Sequence, residues 1–416
     1  MNSKHFIVIL SLIFGIYIIK APELRILMFV ILNIIFISKY DYLIIFFVTT
    51  ALLPYNAEDV NENYYTYVSY LAILLNILFN KKRKILFENF LFYPFLLIIP
   101  IIIILFKGSY LSHATSLLTT ILSLILMSIL FISKNFDIEN FKLKLFSCLG
   151  ITLLIPYFLY LSNIDNTVLV LTGYKGTYGS GFARMGTEKL DATAIYFPCI
   201  LVFIFLITDK KIKGWKKYVF SGLILIPCVM SYSFGFFFTF FLVAIFYLIY
   251  NYNIKILLIY LLFSVIIVTN KTAVNYYQTY QESKKSLGAL DSRTEVWEMS
   301  IDEIKKSPMW GSYDYEPKDI PIQYQEEGDF GSHNILLEIW RRAGVISVLI
   351  FLIFYFILPI LDNKYSSYQS TLIMVATLFY FLILHFYSNK VALIALLLIF
   401  YSKKLTTIGI QNNKMS

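Results

Sequence analysis

The feature that most constrains this chain is a succession of long apolar stretches separated by short polar links. An α-helix needs about 20 apolar residues to cross the hydrocarbon core of a bilayer, and about fourteen stretches near that length follow one another here. Hydrophobic residues make up 58% of the chain and charged residues 15%, whereas soluble proteins have about 25% charged residues. We therefore predict an all-α, polytopic integral membrane protein with a single membrane domain over residues 1–416.

The predicted spans alternate in direction, and the third and the last are short enough to be re-entrant instead. They fall near residues 5–19, 24–38, 41–53, 64–80, 85–106, 111–133, 145–161, 191–208, 218–231, 233–250, 254–269, 335–358, 368–387 and 390–402. With this alternation, the basic links at 81–84, 134–144, 210–217 and 403–404 all lie on one side. Cytoplasmic loops carry the excess of Lys and Arg, so this side is predicted to be the cytoplasm, with both termini in it.

Two large loops lie on the opposite, external side in this topology. One is rich in Gly and Tyr and covers about 162–190, and the other covers about 270–332. The longer loop contains seven basic and twelve acidic residues, so the net charge of +9 reflects topology and does not indicate a nucleic-acid partner. No P-loop, Gly-rich dinucleotide turn or basic groove is evident in the sequence. Any chemistry is therefore expected in the two external loops.

An amphipathic helix is predicted within the longer loop at about 292–306. Ser292 and Glu295 have the spacing of a capping box, and Pro308 follows the far end. The stripe expected to lie on the membrane surface or the helical body consists of Arg293, Trp297, Ile301 and Ile304. Two interpretations of Arg293 remain open: it contributes a charge to a site, or it only snorkels at the end of an apolar face.

A histidine and two arginines mark the start of the twelfth span. We predict Ser332 as the N-cap, which places His333 in the first helical turn, where the helix dipole favours an anion and a neutral imidazole. A neutral histidine can act as a general base. Farther along the same helix, Arg341 and Arg342 either bind phosphate oxygens or anchor the helix among lipid headgroups. Asn334 is placed to orient a substrate.

The other external loop combines flexible backbone with aromatic side chains over residues 173–186. Its five glycines permit tight turns and close approach to a ligand. Tyr174 and Tyr178 offer stacking surfaces that suit either sugars or the bilayer interface. Arg184 lies just before the next span, at the same external interface as His333 and the other arginines. Their convergence on one membrane face predicts a site for an anionic ligand.

The motifs in these loops resemble those of the O-antigen ligase and polymerase superfamily. The resemblance rests on His333-Asn334 with Gly344 after nine residues, on Arg293-x-x-x-Trp297 followed by Pro308-Met-Trp-Gly311, and on Arg184-x-Gly186-Thr187. One position departs from the pattern, because Ser347 stands where a glycine commonly follows Gly344. The topology match covers most of the chain, and the specific motifs cover about a fifth of it.

The resemblance implies the fold of the membrane glycosyltransferase C class and an inverting transfer of glycan from undecaprenyl diphosphate, without metal or cofactor. The reaction would take place at the periplasmic face of the bacterial inner membrane. In this reaction His333 would act as the base, and Arg184 and Arg293 would stabilise the diphosphate. Further substrate contacts would come from Arg341, Arg342, Asn334, Tyr174, Tyr178 and Trp297. Acidic residues between 314 and 329 leave a divalent-ion site open as an alternative.

Three functions are compatible with these residues. The leading hypothesis is an O-antigen polymerase that transfers the growing glycan to the non-reducing end of a new lipid-linked repeat unit, with a chain-length regulator as a protein partner. The second is a ligase that transfers the glycan to lipid A core or to protein. The third is a flippase for lipid-linked sugar, which would be expected to carry charges near the bilayer midplane. The polymerase is favoured by analogy, because the chain departs from the tighter ligase pattern.

Overall fold

A computed structural model describes most of the predicted spans and residues 293–311 of the longer loop. The described residues are 3–13, 22–49, 63–79, 93–106, 111–131, 137–161, 192–209, 212, 214–230, 234–251, 293–311, 334–358, 361, 368–383 and 390–401. All secondary structure within these ranges is helical, as the sequence predicted. The α-helices are α1 (Ser3–Ile13), α2 (Pro22–Ile35), α3 (Tyr40–Thr49), α4 (Asn63–Phe79), α5 (Ile98–Phe106), α6 (Leu111–Phe131), α7 (Ile138–Leu161), α8 (Ala192–Thr208), α9 (Trp215–Met230), α10 (Phe234–Asn251), α11 (Arg293–Lys306), α12 (Ile335–Leu352), α13 (Tyr368–Ile383) and α14 (Lys390–Tyr401).

The helices coincide closely with the predicted apolar stretches, and two short segments extend them. A 3-10 helix, Tyr93–Leu97, leads into α5, and a π-helical turn, Ile353–Ile357, continues α12. The seventh helix begins before its predicted start at 145, because Asp137 caps it by accepting a hydrogen bond from the Asn140 N–H at 3.1 Å. The predicted span 254–269, the loop 162–190 and most of the loop 270–332 lie outside the described residues.

The outer surface of the described helices is apolar. By length and composition, Ile335–Ile357 could cross a membrane, and eight shorter apolar helices of 10–17 residues accompany it in the described ranges. Large hydrophobic side chains are exposed on several helices, including Phe106 at 87%, Phe79 at 76% and Ile35 at 63%. Exposed apolar surface of this kind suits contact with lipid, as expected of a membrane-embedded protein.

Two short helices, α3 and α14, lie at the centre of the bundle. Every residue from Tyr42 to Thr49 is buried, and so is every residue from Val391 to Ile399. The two helices contact each other; α3 also packs on α4 and α7, and α14 packs on α6, α8 and α13. A helix that is apolar on all sides can be enclosed in this way without leaving charged groups unpaired. These are the two spans that the sequence identified as shortest.

Polar side chains join four helices at one end of the bundle. Lys144 of α7 forms an ion pair with Asp41 of α3. Lys142 Nζ donates to Gln369 Oε1 of α13 at 3.2 Å, and Gln369 Nε2 donates to Thr208 Oγ1 of α8 at 2.7 Å. In the predicted topology, the third, seventh and thirteenth spans start on the side of the membrane on which the eighth span ends. In the structure these four helix ends contact one another.

The Asp41–Lys144 ion pair should stabilise the bundle, because its side chains are only 17% and 25% exposed. We expect Asp41→Lys or Lys144→Asp alone to lower the Tm of the full chain in detergent, since each places like charges together. The double exchange should recover part of the loss, with a coupling of about 0.5–3 kcal/mol. The matched control exchanges Asp302 and Lys305, an exposed ion pair on α11 that should have little effect. A double variant no more stable than the single variants would contradict this prediction.

Candidate functional site

The site is built on the first three turns of α12, and its start differs from the sequence prediction. Asn334, not Ser332, is the N-cap: its Oδ1 accepts hydrogen bonds from the N–H groups of Leu336 at 3.0 Å and Leu337 at 3.3 Å. Because Asn334 caps the helix, His333 precedes α12. The prediction that His333 lies in the first helical turn was therefore wrong. His333 itself is outside the described residues.

A buried cluster of three charged side chains, Glu338, Arg341 and Arg342, lies on the next turns. Arg341 Nη2 donates to Glu338 Oε1 at 2.8 Å, and Arg342 Nε donates to the same oxygen. The exposed fractions of the three residues are 2%, 5% and 9%. The two arginines were predicted to bind an anion outside the helix, whereas in the structure both have an anionic partner within it. Together the three side chains carry one net positive charge.

Glu338 is the site residue that sequence reasoning missed. The spacing of Glu338 in the sequence could have identified it, because acidic and basic side chains three or four residues apart meet on one helix face. Glu338 precedes Arg341 by three residues and Arg342 by four. Without such a partner, burying a guanidinium or a carboxylate is costly, so these charges are stable in the interior only as a group.

An apolar cavity adjoins the charged cluster. It lies between α5, α6 and α12 and has a volume of about 20 Å³, which is room for about one water molecule. Pro100, Ile104, Leu117 and Phe351 line it, together with Glu338 and Arg342. Ser347, at the position where the family motif commonly has glycine, also lines the cavity and donates from Oγ to the Ala343 carbonyl at 2.8 Å. The surface that faces this small hollow is almost entirely apolar, so the charged cluster lies beside the hollow and its charged groups hardly face it.

The segment after α11 docks on α12 through its backbone. The Pro308 carbonyl accepts two hydrogen bonds, from Val345 N at 3.1 Å and from Trp340 Nε1 at 2.9 Å. Gly344 has φ +76°, which kinks α12 at the contact. A Cβ on Gly344 would overlap the Met309 carbonyl and lie 2.6 Å from Trp310 N, and a Cβ on Gly311 would lie 2.6 Å from the Arg342 carbonyl carbon. Both positions therefore require glycine.

The face that α11 presents to the protein differs from the predicted stripe. Ser300, Glu303 and Ile304 are buried, Trp297 is half-buried, and Ile301 is 41% exposed. Of the predicted stripe, Ile304 therefore packs against the helical body, while Ile301 is exposed, and its contact with the membrane surface stays a prediction. The backbone of Arg293 begins α11, and its side chain is outside the description.

The remaining predicted site residues fall on parts of the chain that the structure does not describe. These are His333, Arg184, Tyr174 and Tyr178, so the predicted gathering of arginines around the histidine stays a prediction. Among the described residues, no group of three His, Cys, Asp or Glu side chains could hold a metal ion. The acidic residues between 314 and 329 are outside that search.

Comparison with known proteins gives one match, to the site region. Residues 191–352 match the family model described as O-antigen ligase (Wzy_C). The matched range runs from just before α8 to the end of α12 and so includes α11, the docked segment and the charged cluster. It supports the O-antigen ligase/polymerase superfamily, whose members are membrane-embedded, glycosyltransferase-like enzymes of O-antigen biosynthesis. Neither the curated proteins nor the solved structures gave a match.

The two glycines at the docking contact make a direct stability prediction. We expect Gly344→Ala or Gly311→Ala to lower the Tm of the full chain in detergent and to speed tryptic cleavage at Lys305 and Lys306. The positive φ alone costs a non-glycine residue about 1–2 kcal/mol, and the overlap with facing backbone adds to this. Gly222→Ala on α9 is the matched control, because a Cβ there meets nothing within 4 Å. Unchanged Tm in both site variants would contradict the docking described here.

Proposed function

We propose that this protein is an O-antigen polysaccharide polymerase of the bacterial inner membrane. In this reaction the growing glycan leaves undecaprenyl diphosphate and is joined to the non-reducing end of a new lipid-linked repeat unit. The donor and the acceptor are both lipid-linked glycans, and a chain-length regulator is the expected protein partner. The family match supports a polymerase or a ligase in general, and the choice of polymerase is part of the proposal.

The observation that carries the proposal is the charged cluster at the wall of an apolar cavity, on the helix that directly follows His333. Arg342 and Glu338 line this cavity together with apolar side chains of α5 and α6. Guanidinium groups bind phosphate oxygens in a fork. Held in a desolvated site, they stabilise the charge that develops on a diphosphate leaving group.

The proposed chemistry needs one base and several cations. His333 takes the proton from the attacking sugar hydroxyl as the new glycosidic bond forms at the anomeric carbon. The bond from that carbon to the diphosphate oxygen breaks, and attack from the opposite face gives inversion. Arg184 and Arg293 are proposed to stabilise the departing diphosphate, with Tyr174 and Tyr178 against the sugars. The side-chain oxygen of Asn334 caps α12, so the proposed substrate contact of Asn334 is through its amide nitrogen.

The orientation of the protein is also a proposal. The basic links and the polar network around Lys142 and Lys144 would face the cytoplasm. Alternating spans then place the start of α12 and the segment 308–311 at the periplasmic face. The exposed side chains of Met309 and Trp310 would lie at the level of the lipid headgroups, where tryptophan is enriched.

A ligase is the second candidate, because the matching family model carries the description O-antigen ligase. It would use the same cations and base but transfer the finished glycan to lipid A core or to protein. Deleting the gene from a host with an intact surface-glycan pathway separates the candidates. Core lipid A bearing a single repeat unit is the result expected for a polymerase. Loss of all attached glycan would indicate the ligase, and accumulation of unflipped lipid-linked repeats would indicate a flippase.

Substituting His333→Ala tests the proposed base in the same host. The variant should reproduce the single-repeat pattern at normal protein level, since loss of a general base slows a reaction by about 10²- to 10⁴-fold. His5→Ala is the control, a histidine of α1 at the end of the spans predicted to face the cytoplasm, and it should leave chain length unchanged. Full-length glycan chains in the His333→Ala strain would remove this residue from the mechanism.

A further inference from the structure

One carboxylate oxygen holds both arginines of the charged cluster. Glu338 Oε1 accepts hydrogen bonds from Arg341 Nη2 and Arg342 Nε, and all three side chains are buried. Side chains on a helix lean toward its N-terminus, so residues three and four apart meet one turn back along the axis. Glu338 therefore draws both guanidinium groups toward the start of α12, the end that follows His333.

We propose that Glu338 is a positioning residue that holds Arg342 at the cavity wall, with Arg341 braced against the same carboxylate. This inference rests on the proposed transferase function and adds to it a residue that acts through the arginines. Glu338 is itself an anion, so it is not suited to contact the diphosphate. Its role is to fix the direction of the guanidinium groups while leaving the three side chains with one net positive charge.

The role of Glu338 as a positioning residue has a kinetic signature that a purely structural role lacks. Replacing the carboxylate with an amide makes the cluster more positive by one charge, which favours binding of any anion. The same change releases the guanidinium groups from their fixed geometry, which disfavours the transition state more than the bound substrate. Catalysis should therefore weaken while anion binding does not. General loss of structure would weaken both.

The experiment compares wild type and Glu338→Gln as purified full-length protein in lipid vesicles, with an undecaprenyl-diphosphate-linked glycan as substrate. The expected kcat of Glu338→Gln is lower by at least about tenfold, equivalent to about 1.4 kcal/mol in the barrier. The inhibition constant of inorganic diphosphate should stay the same or fall. Asp302→Asn is the matched control, because it removes the acid of an exposed i,i+3 pair on α11 and should change neither value.

A second variant keeps the proposal testable if Glu338→Gln does not fold. Glu338→Asp keeps the negative charge on a shorter side chain, so its kcat should lie between those of wild type and Glu338→Gln. If Glu338→Gln is absent from the membrane, a reduced kcat in Glu338→Asp with unchanged diphosphate inhibition supports the proposal. Wild-type kcat in the folded variants, or diphosphate inhibition that weakens in step with kcat, overturns it. If the wild-type protein itself transfers no glycan, the proposed function fails instead.

Discussion

The candidate site depends on a backbone-to-backbone contact between residues 308–311 and residues 342–345. Gly311 and Gly344 each face main-chain atoms of the other segment at distances that leave no room for a side chain. The Pro308 carbonyl accepts two hydrogen bonds across the contact, one from the Val345 N–H, which the kink would otherwise leave unpaired, and one from the Trp340 side chain. The close contacts at the two glycines are between main-chain atoms, so they do not depend on side-chain rotamers. The helix that begins with Arg293 is thereby fixed against the helix that carries the buried charges.

Much of the fold could be predicted from the sequence because it depends on local signals. Apolar runs gave most of the described spans to within a few residues, since a membrane helix is defined by its own hydrophobic length, although α7 begins at 138 and not at 145. The helix predicted at 292–306 was found at Arg293–Lys306, and Pro308 follows its end. The enclosure of the third and last helices has no such local cause, because a helix that is apolar on all sides can equally well lie in lipid.

What could not be predicted depends on contacts between distant segments or on a choice between equivalent residues. Ser332 and Asn334 are both good caps, and composition alone does not choose between them. The buried face of α11 is set by α12, so helical spacing alone could not show that Ile304 packs against the body while Ile301 stays exposed. The requirement for glycine at 344 becomes clear only when Gly311 and its neighbours are seen across the contact. Glu338 was predictable in principle from its spacing to Arg341 and Arg342.

The enclosure of α14 has a consequence for how the protein is made. A ribosome synthesises this helix after every helix that surrounds it, namely α3, α6, α8 and α13. Until α14 arrives, the slot it fills must hold lipid or remain collapsed, and α3 lacks one of its packing partners. The interior therefore closes only once residues 390–401 have left the insertion machinery. A chain truncated before that point would leave the faces of α3, α6, α8 and α13 that pack on α14 without this partner.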